Sequence, residues 1–156
     1  MLIQEVGLKN LYIEPTAKTP QIDLNCVNGE LILSGRSIPE NAAELYGSVL
    51  NWIHEYIENP RQITNLRLNL EYFNTSSSIW LAKIVKSLST IKNNDYTVMI
   101  HLYFNIDEYN NMDSEDIRDA LSPIIDIIGA PLISIGIKIY GTDPGGQILK
   151  ESMVLI

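Results

Sequence analysis

The chain has 156 residues, 46% of them hydrophobic, and carries 11 Lys and Arg against 19 Asp and Glu, for a net charge of −8. This is enough apolar material for one ordinary core without a metal or disulfide staple, and Cys26, as the sole cysteine, excludes an intrachain disulfide and a zinc site built from this chain's cysteines. Cations scattered along an acidic chain lack the concentrated positive charge that drives counterion release, so DNA and RNA are poor partners.

The N-terminus, Met1-Leu2-Ile3-Gln4-Glu5, has no basic stretch followed by an apolar run. No segment approaches the ~20 apolar residues needed to cross a bilayer. The expectation is a cytoplasmic protein without membrane insertion. With no repeat, low-complexity tract or linker in the sequence, it is also one domain over 1–156.

Short strands come first. Leu11-Tyr12-Ile13-Glu14 is followed by Pro15 and Pro20, and then Gln21 to Asn25 and Glu30 to Ser34 flank Val27-Asn28-Gly29, an Asn-Gly hairpin signal. A first helix is predicted from the spacing of Tyr46, Val49, Leu50, Ile53 and Ile57, with Ser37 and Glu40 at capping-box spacing and Asn59-Pro60 ending it. A second helix has Leu81, Ile84, Val85, Leu88 and Ile91 on one stripe, behind a polar cap region at Asn74 to Ser77. A third starts near Asp113, runs through Ile117, Leu121, Ile124 and Ile128 to Gly129, and is kinked or split by Pro123.

Three longer strands separate the helices. Leu66, Leu68, Leu70 and Tyr72 alternate with polar residues, as do Val98, Ile100, Leu102 and Phe104 with Thr97, Met99, His101 and Tyr103, and Ile133, Ile135, Ile137 and Ile139 with Ser134, Gly136 and Lys138. A sheet covered on both faces reads as near-continuous apolar runs, which these are not. The pattern predicts a two-layer α/β domain: a mixed sheet with an N-terminal hairpin followed by strand-helix units, helices mainly on one face, and right-handed crossovers between parallel central strands.

Two segments stand out chemically. In Leu70-Glu71-Tyr72-Phe73-Asn74-Thr75-Ser76-Ser77-Ser78 an amphipathic strand meets a helix through one amide and four hydroxyls. One hydroxyl is explained by capping; four exceed what capping requires. A phosphoryl group there meets free backbone amides and the positive end of the helix dipole, and adds about two negative charges to the surface. In Ser34-Gly35-Arg36-Ser37-Ile38-Pro39-Glu40-Asn41, Gly35, Ser37, Pro39 and Glu40 have turn and cap explanations, whereas Arg36 is left to pair with Glu40, Glu71, a phosphate or a partner's carboxylate.

GRSIPEN at 35–41 and LEYFNTSSS at 70–78, with KTPQID at 18–23, resemble the signature motifs of the SiaC family, at similar spacing. The resemblance covers roughly Leu11 to Ile133, leaving 138–156 as a C-terminal extension that adds a strand or covers a partner surface. It implies a fold similar to anti-sigma-factor antagonists (STAS-like domains) and a non-enzymatic phosphoprotein in a bacterial partner-switching pathway. The unphosphorylated form would bind and stimulate a diguanylate cyclase in cyclic di-GMP and biofilm signalling, a serine/threonine kinase would phosphorylate Thr75, and a PP2C-type phosphatase would reset it. Arg36, Ser37, Glu40, Asn41, Glu71, Tyr72, Phe73, Asn74, Ser76 and Ser77 are the corresponding partner-binding candidates. The family's acidic stretch after the strand ending near Phe104 is diluted here to Asp107, Glu108 and Asp113.

The alternative reading is a small-ligand or nucleotide-binding module that uses the helix start at Asn74 to Ser78. Other features are weaker. His54 and His101 have no ligand-type spacing, Asp113 to Asp119 read as a helix start with a solvated face, and Asp143-Pro144-Gly145-Gly146 reads as a turn. No cofactor and no metal are expected.

Overall fold

The computed structural model describes residues 7–73, 75–113, 115, 122 and 125–155, with backbone alone at 72, 73, 75, 76, 78 and 155. Seven strands form one mixed sheet: β1 (Leu11–Ile13), β2 (Gln21–Asn25), β3 (Glu30–Ser37), β4 (Ile63–Phe73), β5 (Thr97–Asn105), β6 (Ser134–Thr142) and β7 (Ile148–Leu155). Their order across the sheet is their order along the chain. β1, β2 and β3 pair antiparallel, β3 to β6 run parallel, and β7 returns antiparallel to β6. The helices α1 (Ala42–Tyr56), α2 (Thr75–Leu88) and the short α3 (Ile106–Asn111) lie in the three parallel crossovers. Crossovers of one hand that advance in one direction deposit their helices on one face, as the alternating strands predicted.

That face is the core. Leu31 and Leu33 of β3, Leu66 and Leu68 of β4, Val98 and Ile100 of β5, and Ile135, Ile137 and Ile139 of β6 are buried with Tyr46, Val49 and Ile53 of α1 and Ile84, Val85 and Leu88 of α2. α3 approaches β6 so closely that a Cβ on Gly141 would lie 2.9 Å from the Ile106 and Tyr109 side chains. The Asn-Gly turn between β2 and β3 is as expected. Gly29 has φ 75°, and a Cβ there would lie 2.5 Å from the Ile63 carbonyl, so the turn tolerates no side chain.

One reading is revised, one helix was not anticipated, and one is described only in part. α1 is capped by Asn41, whose side chain accepts from the Glu44 amide, while Ser37 still belongs to β3; the capping box proposed for Ser37 and Glu40 is not formed, because Pro39 and Glu40 precede the helix. α3 is a helix that the apolar spacing did not suggest, since its six residues bury no side chain completely; Asn105 starts it by accepting from the Glu108 amide. Of the third predicted helix, residues 125–128 are helical and end at Gly129 with φ 70°, whereas Ile117, Leu121, Pro123 and Ile124 lie outside the described residues. The chain beyond Lys138 completes β6 and adds β7.

The uncovered face of the sheet carries a hydrogen-bonded polar network. Arg67 Nε donates to Glu30 at 2.7 Å and Nη1 to the Tyr103 hydroxyl at 2.9 Å. His101 Nε2–H donates to Asn65 Oδ1 at 2.8 Å, which leaves Nδ1 to accept from the Tyr140 hydroxyl at 2.7 Å. The Tyr140 ring stacks between those of His101 and Tyr103, and His101 is buried. Burial, reinforced by the charges of Arg67 and Lys138, holds the His101 pKa down to about 4.

His101 is therefore neutral in the fold at neutral pH, while in the unfolded chain it titrates near 6.5. Between those values the unfolded state binds the extra proton, so the stability contribution is full above pH 6.5 and is lost as pH falls toward 4. Chemical denaturation at pH 7.5 and pH 4.5 should show a loss on the order of 2 kcal/mol from this group, smaller than the full conversion of the shift because of solvent screening at the sheet surface. A His101→Gln variant should lose that component of the pH dependence, and an unchanged slope in the variant would show that His101 does not carry it.

Candidate functional site

The three sequence motifs, far apart in the chain, meet at one end of the sheet. β3 and β4 are parallel neighbours, so GRSIPEN and LEYFNTSSS leave the carboxyl ends of adjacent strands and lead into the N-termini of α1 and α2. KTPQID joins them because β2 begins beside the end of β3, with Gln21 opposite Ser34. The Ile38 amide donates to the Lys18 carbonyl at 2.9 Å, and Lys18 Nζ donates to Glu40 Oε1 at 2.8 Å. That hydrogen bond, with the attraction between the charges, raises the Lys18 pKa and lowers that of Glu40. Both groups lie in solvent, so the bridge orients the loop more than it stabilises the fold.

Gly35 makes this geometry possible. At φ 113° it occupies a conformation that L side chains rarely adopt, and the β3–β4 register slips there: Gly35 faces Leu70, but Arg36 faces Tyr72. The slip carries Glu71 as the extra residue on β4. Arg36 Nε reaches Glu71 Oε2 at 3.9 Å, with both side chains more than half exposed. Of the two carboxylates the sequence offered to Arg36, Glu71 lies at this distance, while Glu40 is engaged by Lys18.

The next residue on β3 turns inward. Ser37, Ser77 and Tyr46 are all 0% exposed and touch through their hydroxyls. Ser77 Oγ donates to the Ser37 carbonyl at 2.9 Å, the two serine hydroxyls are 2.8 Å apart, and the Ser37 hydroxyl is hydrogen-bonded to that of Tyr46. Burial raises the Tyr46 pKa, only partly offset by the serine hydroxyls, so the phenol stays protonated and able to donate. Ser37 and Ser77, expected from the motifs as partner contacts, offer no surface to a partner in this structure.

Four of the remaining motif residues face solvent. Arg36, Glu40, Asn41 and Glu71 are exposed. Thr75 and Ser76 open α2, Tyr72 and Phe73 close β4, and Asn74 lies outside the described residues. Two exposed apolar side chains escaped the sequence reading: Ile38, 37% exposed, and Ile79, 53% exposed. Ile79 left a signal, because it shares helical spacing with Lys83 and Lys86, both exposed, on the face opposite the Ile84 and Leu88 stripe. An isoleucine on a polar stripe is a contact candidate. Ile38, in an irregular loop, left none.

The family model described as SiaC family regulatory phosphoprotein matches residues 13–128. The chain belongs to the SiaC family. The crystal structure of apo-SiaC from Pseudomonas aeruginosa superposes with a TM-score of 0.62 at 25% identity, over 81% of this chain and 98% of that one. A chain of the crystal structure of the diguanylate cyclase SiaD in complex with its activator SiaC, from the same organism, gives 0.63 at 26% identity over 80% and 97%. An uncharacterized protein of P. aeruginosa strain UCBPP-PA14 is 37% identical over 70 residues, 45% of this chain and 56% of that relative, so the match spans little more than half of the relative's length. The SiaC match takes in all three motifs and stops before β6 and β7. Among the described residues no helix is long and apolar enough to cross a membrane, and no group of three His, Cys, Asp or Glu could hold a metal ion.

Two substitutions test the local framework. Asn41→Ala should remove the α1 cap and lower stability by about 1 kcal/mol in chemical denaturation, with Asn41→Ser retaining most of it. Gly35→Ala should cost about 1–3 kcal/mol through its positive φ. A Gly35→Ala protein of wild-type stability would show that the register slip at Arg36 is not held by this backbone conformation.

Proposed function

We propose that residues 1–156 act as one SiaC-like domain, a cytoplasmic protein-binding switch and not a catalyst, that holds its partner while Thr75 is unmodified and releases it when Thr75 is phosphorylated. The partner proposed is a diguanylate cyclase that the unmodified form stimulates, with a serine/threonine kinase and a PP2C-type phosphatase setting the state of Thr75. Support for the cyclase comes from the solved SiaC described as the activator of the diguanylate cyclase SiaD. The family's description as regulatory phosphoproteins supports a covalent switch.

One observation carries the choice of residue within the hydroxyl run. Ser77 is fully buried and hydrogen-bonded to Ser37, so no kinase reaches it without unfolding the start of α2. Position 75 is one helical turn before Ile79 and so falls on the same stripe as Ile79, Lys83 and Lys86. A phosphoryl group at position 75 adds about two negative charges one helical turn from the exposed Ile79, which disfavours an apolar contact with the same partner there. Arg36, Glu40, Asn41, Glu71, Tyr72, Phe73, Asn74 and Ser76 are the proposed surrounding contacts.

The test is binding to a cyclase encoded by the same organism, with Thr75 unmodified, replaced or phosphorylated. Thr75→Ala should bind like the unmodified protein, while Thr75→Glu and the stoichiometrically phosphorylated protein should bind at least about tenfold more weakly. Equal affinity for all forms would remove Thr75 as the switch. Phosphopeptide mass spectrometry of the native protein over residues 69–83 should find phosphate on Thr75 and none on Ser77.

A further inference from the structure

Ser37, Ser77 and Tyr46 form more than a buried cap. Each belongs to a different element: Ser37 ends β3, Tyr46 is in the second turn of α1, and Ser77 is in the first turn of α2. Their three hydroxyls admit a donor arrangement in which each donates once. Tyr46 donates to Ser37 Oγ, Ser37 to Ser77 Oγ, and Ser77 back to the Ser37 carbonyl. All three side chains are 0% exposed, so no water competes for these bonds, and breaking one leaves a polar group stranded in the core.

The closed circuit fastens the first turn of α2 to the end of β3. After Ser37 the chain enters the 38–41 loop, in which Ile38, Glu40 and Asn41 are exposed and Pro39 is buried; two residues before Ser77 lies Thr75. From these observations we infer that Tyr46 and Ser77 are positioning residues for the switch: the circuit holds the start of α2 at a fixed place beside the 38–41 loop, so that charge added at Thr75 cannot move away from a docked partner. This rests on the Thr75 reading above and deepens it.

The physical reason is pre-organisation. The first turn of a helix lacks partners for its N–H groups and frays readily. A phosphoryl group on a frayed turn swings toward solvent, and the partner then tolerates it; on a turn bolted through Ser77 it stays at the interface and rejects the partner. Tyr46 acts at one remove, since its side chain is wholly buried and is fixed by the α1 core. A merely structural serine would weaken the fold or the binding of both forms alike. A positioning serine changes the ratio between them.

The experiment measures dissociation constants for the cyclase with phosphorylated and unmodified protein, in the wild type, Ser77→Ala, Tyr46→Phe and Ser77→Thr. The expected result is a phosphorylated-to-unmodified ratio that falls by about fivefold or more in Ser77→Ala and Tyr46→Phe, the equivalent of one buried hydrogen bond, with recovery in Ser77→Thr. Tyr46→Phe removes one oxygen and lies outside the three motifs, so it keeps the test decisive if Ser77→Ala does not fold. A wild-type ratio well above one that is retained in the variants would overturn this inference and leave the switch standing. A wild-type ratio of one would overturn the switch itself, and the inference with it.

Discussion

The architecture depends on one constraint: the described helices cover the sheet on a single face. Because strand order follows chain order and the parallel crossovers all advance the same way, the helices collect on one side, and among the described residues the other side is held without a helical layer. The covered side solves this with aliphatic packing from β2 through β6. The uncovered side solves it with hydrogen bonds and stacked rings. Arg67 illustrates the balance: burial opposes its charge, yet the hydrogen bonds to Glu30 and Tyr103 outweigh that cost and raise its pKa. His101 resolves the same conflict by staying neutral.

The same constraint locates the site. Parallel neighbours bring their carboxyl ends to one edge, so the loops entering α1 and α2 are adjacent although nearly forty residues separate them. Gly35 then changes the register by one residue and sets Arg36 opposite Tyr72. Beneath the surface, Ser37 faces the core and meets Ser77 and Tyr46; above it, Lys18 and Glu40 tie the loop down from the β2 side. A strand register, a glycine and one hydroxyl cluster together make a site from three distant motifs.

Much of this was legible in the sequence. Period-two alternation in β4, β5 and β6 revealed a one-sided sheet, and the Asn28-Gly29 pair marked its turn. The Ile84, Val85 and Leu88 stripe gave the inner face of α2. What the residues concealed were choices made by tertiary contact. Ser37 has the composition of a cap, but β3 continues through it and Asn41 takes the role, because the pairing with Phe73 extends the strand. α3 is too short and too exposed to show a period, and at its start Asn105 accepts from the Glu108 amide while its own side-chain amide donates to the Glu108 carboxylate. Ser77 looked equivalent to its neighbours in a run of hydroxyls. Its spacing to Leu81 and Ile84 puts it on the inner stripe once α2 is known to begin at Thr75, and that start is what the polar run concealed.

The agreement between strand order and chain order also bears on how the molecule comes into being. Each strand finds its neighbour in the element just made, so the sheet can grow outward from the hairpin as the chain leaves the ribosome, without waiting for a distant segment to close it. The elements that carry the motifs are all synthesised by Leu88, ahead of β5, β6 and β7. The strands beyond the family match are thus laid down last, at the far edge, and nothing already built has to open to receive them.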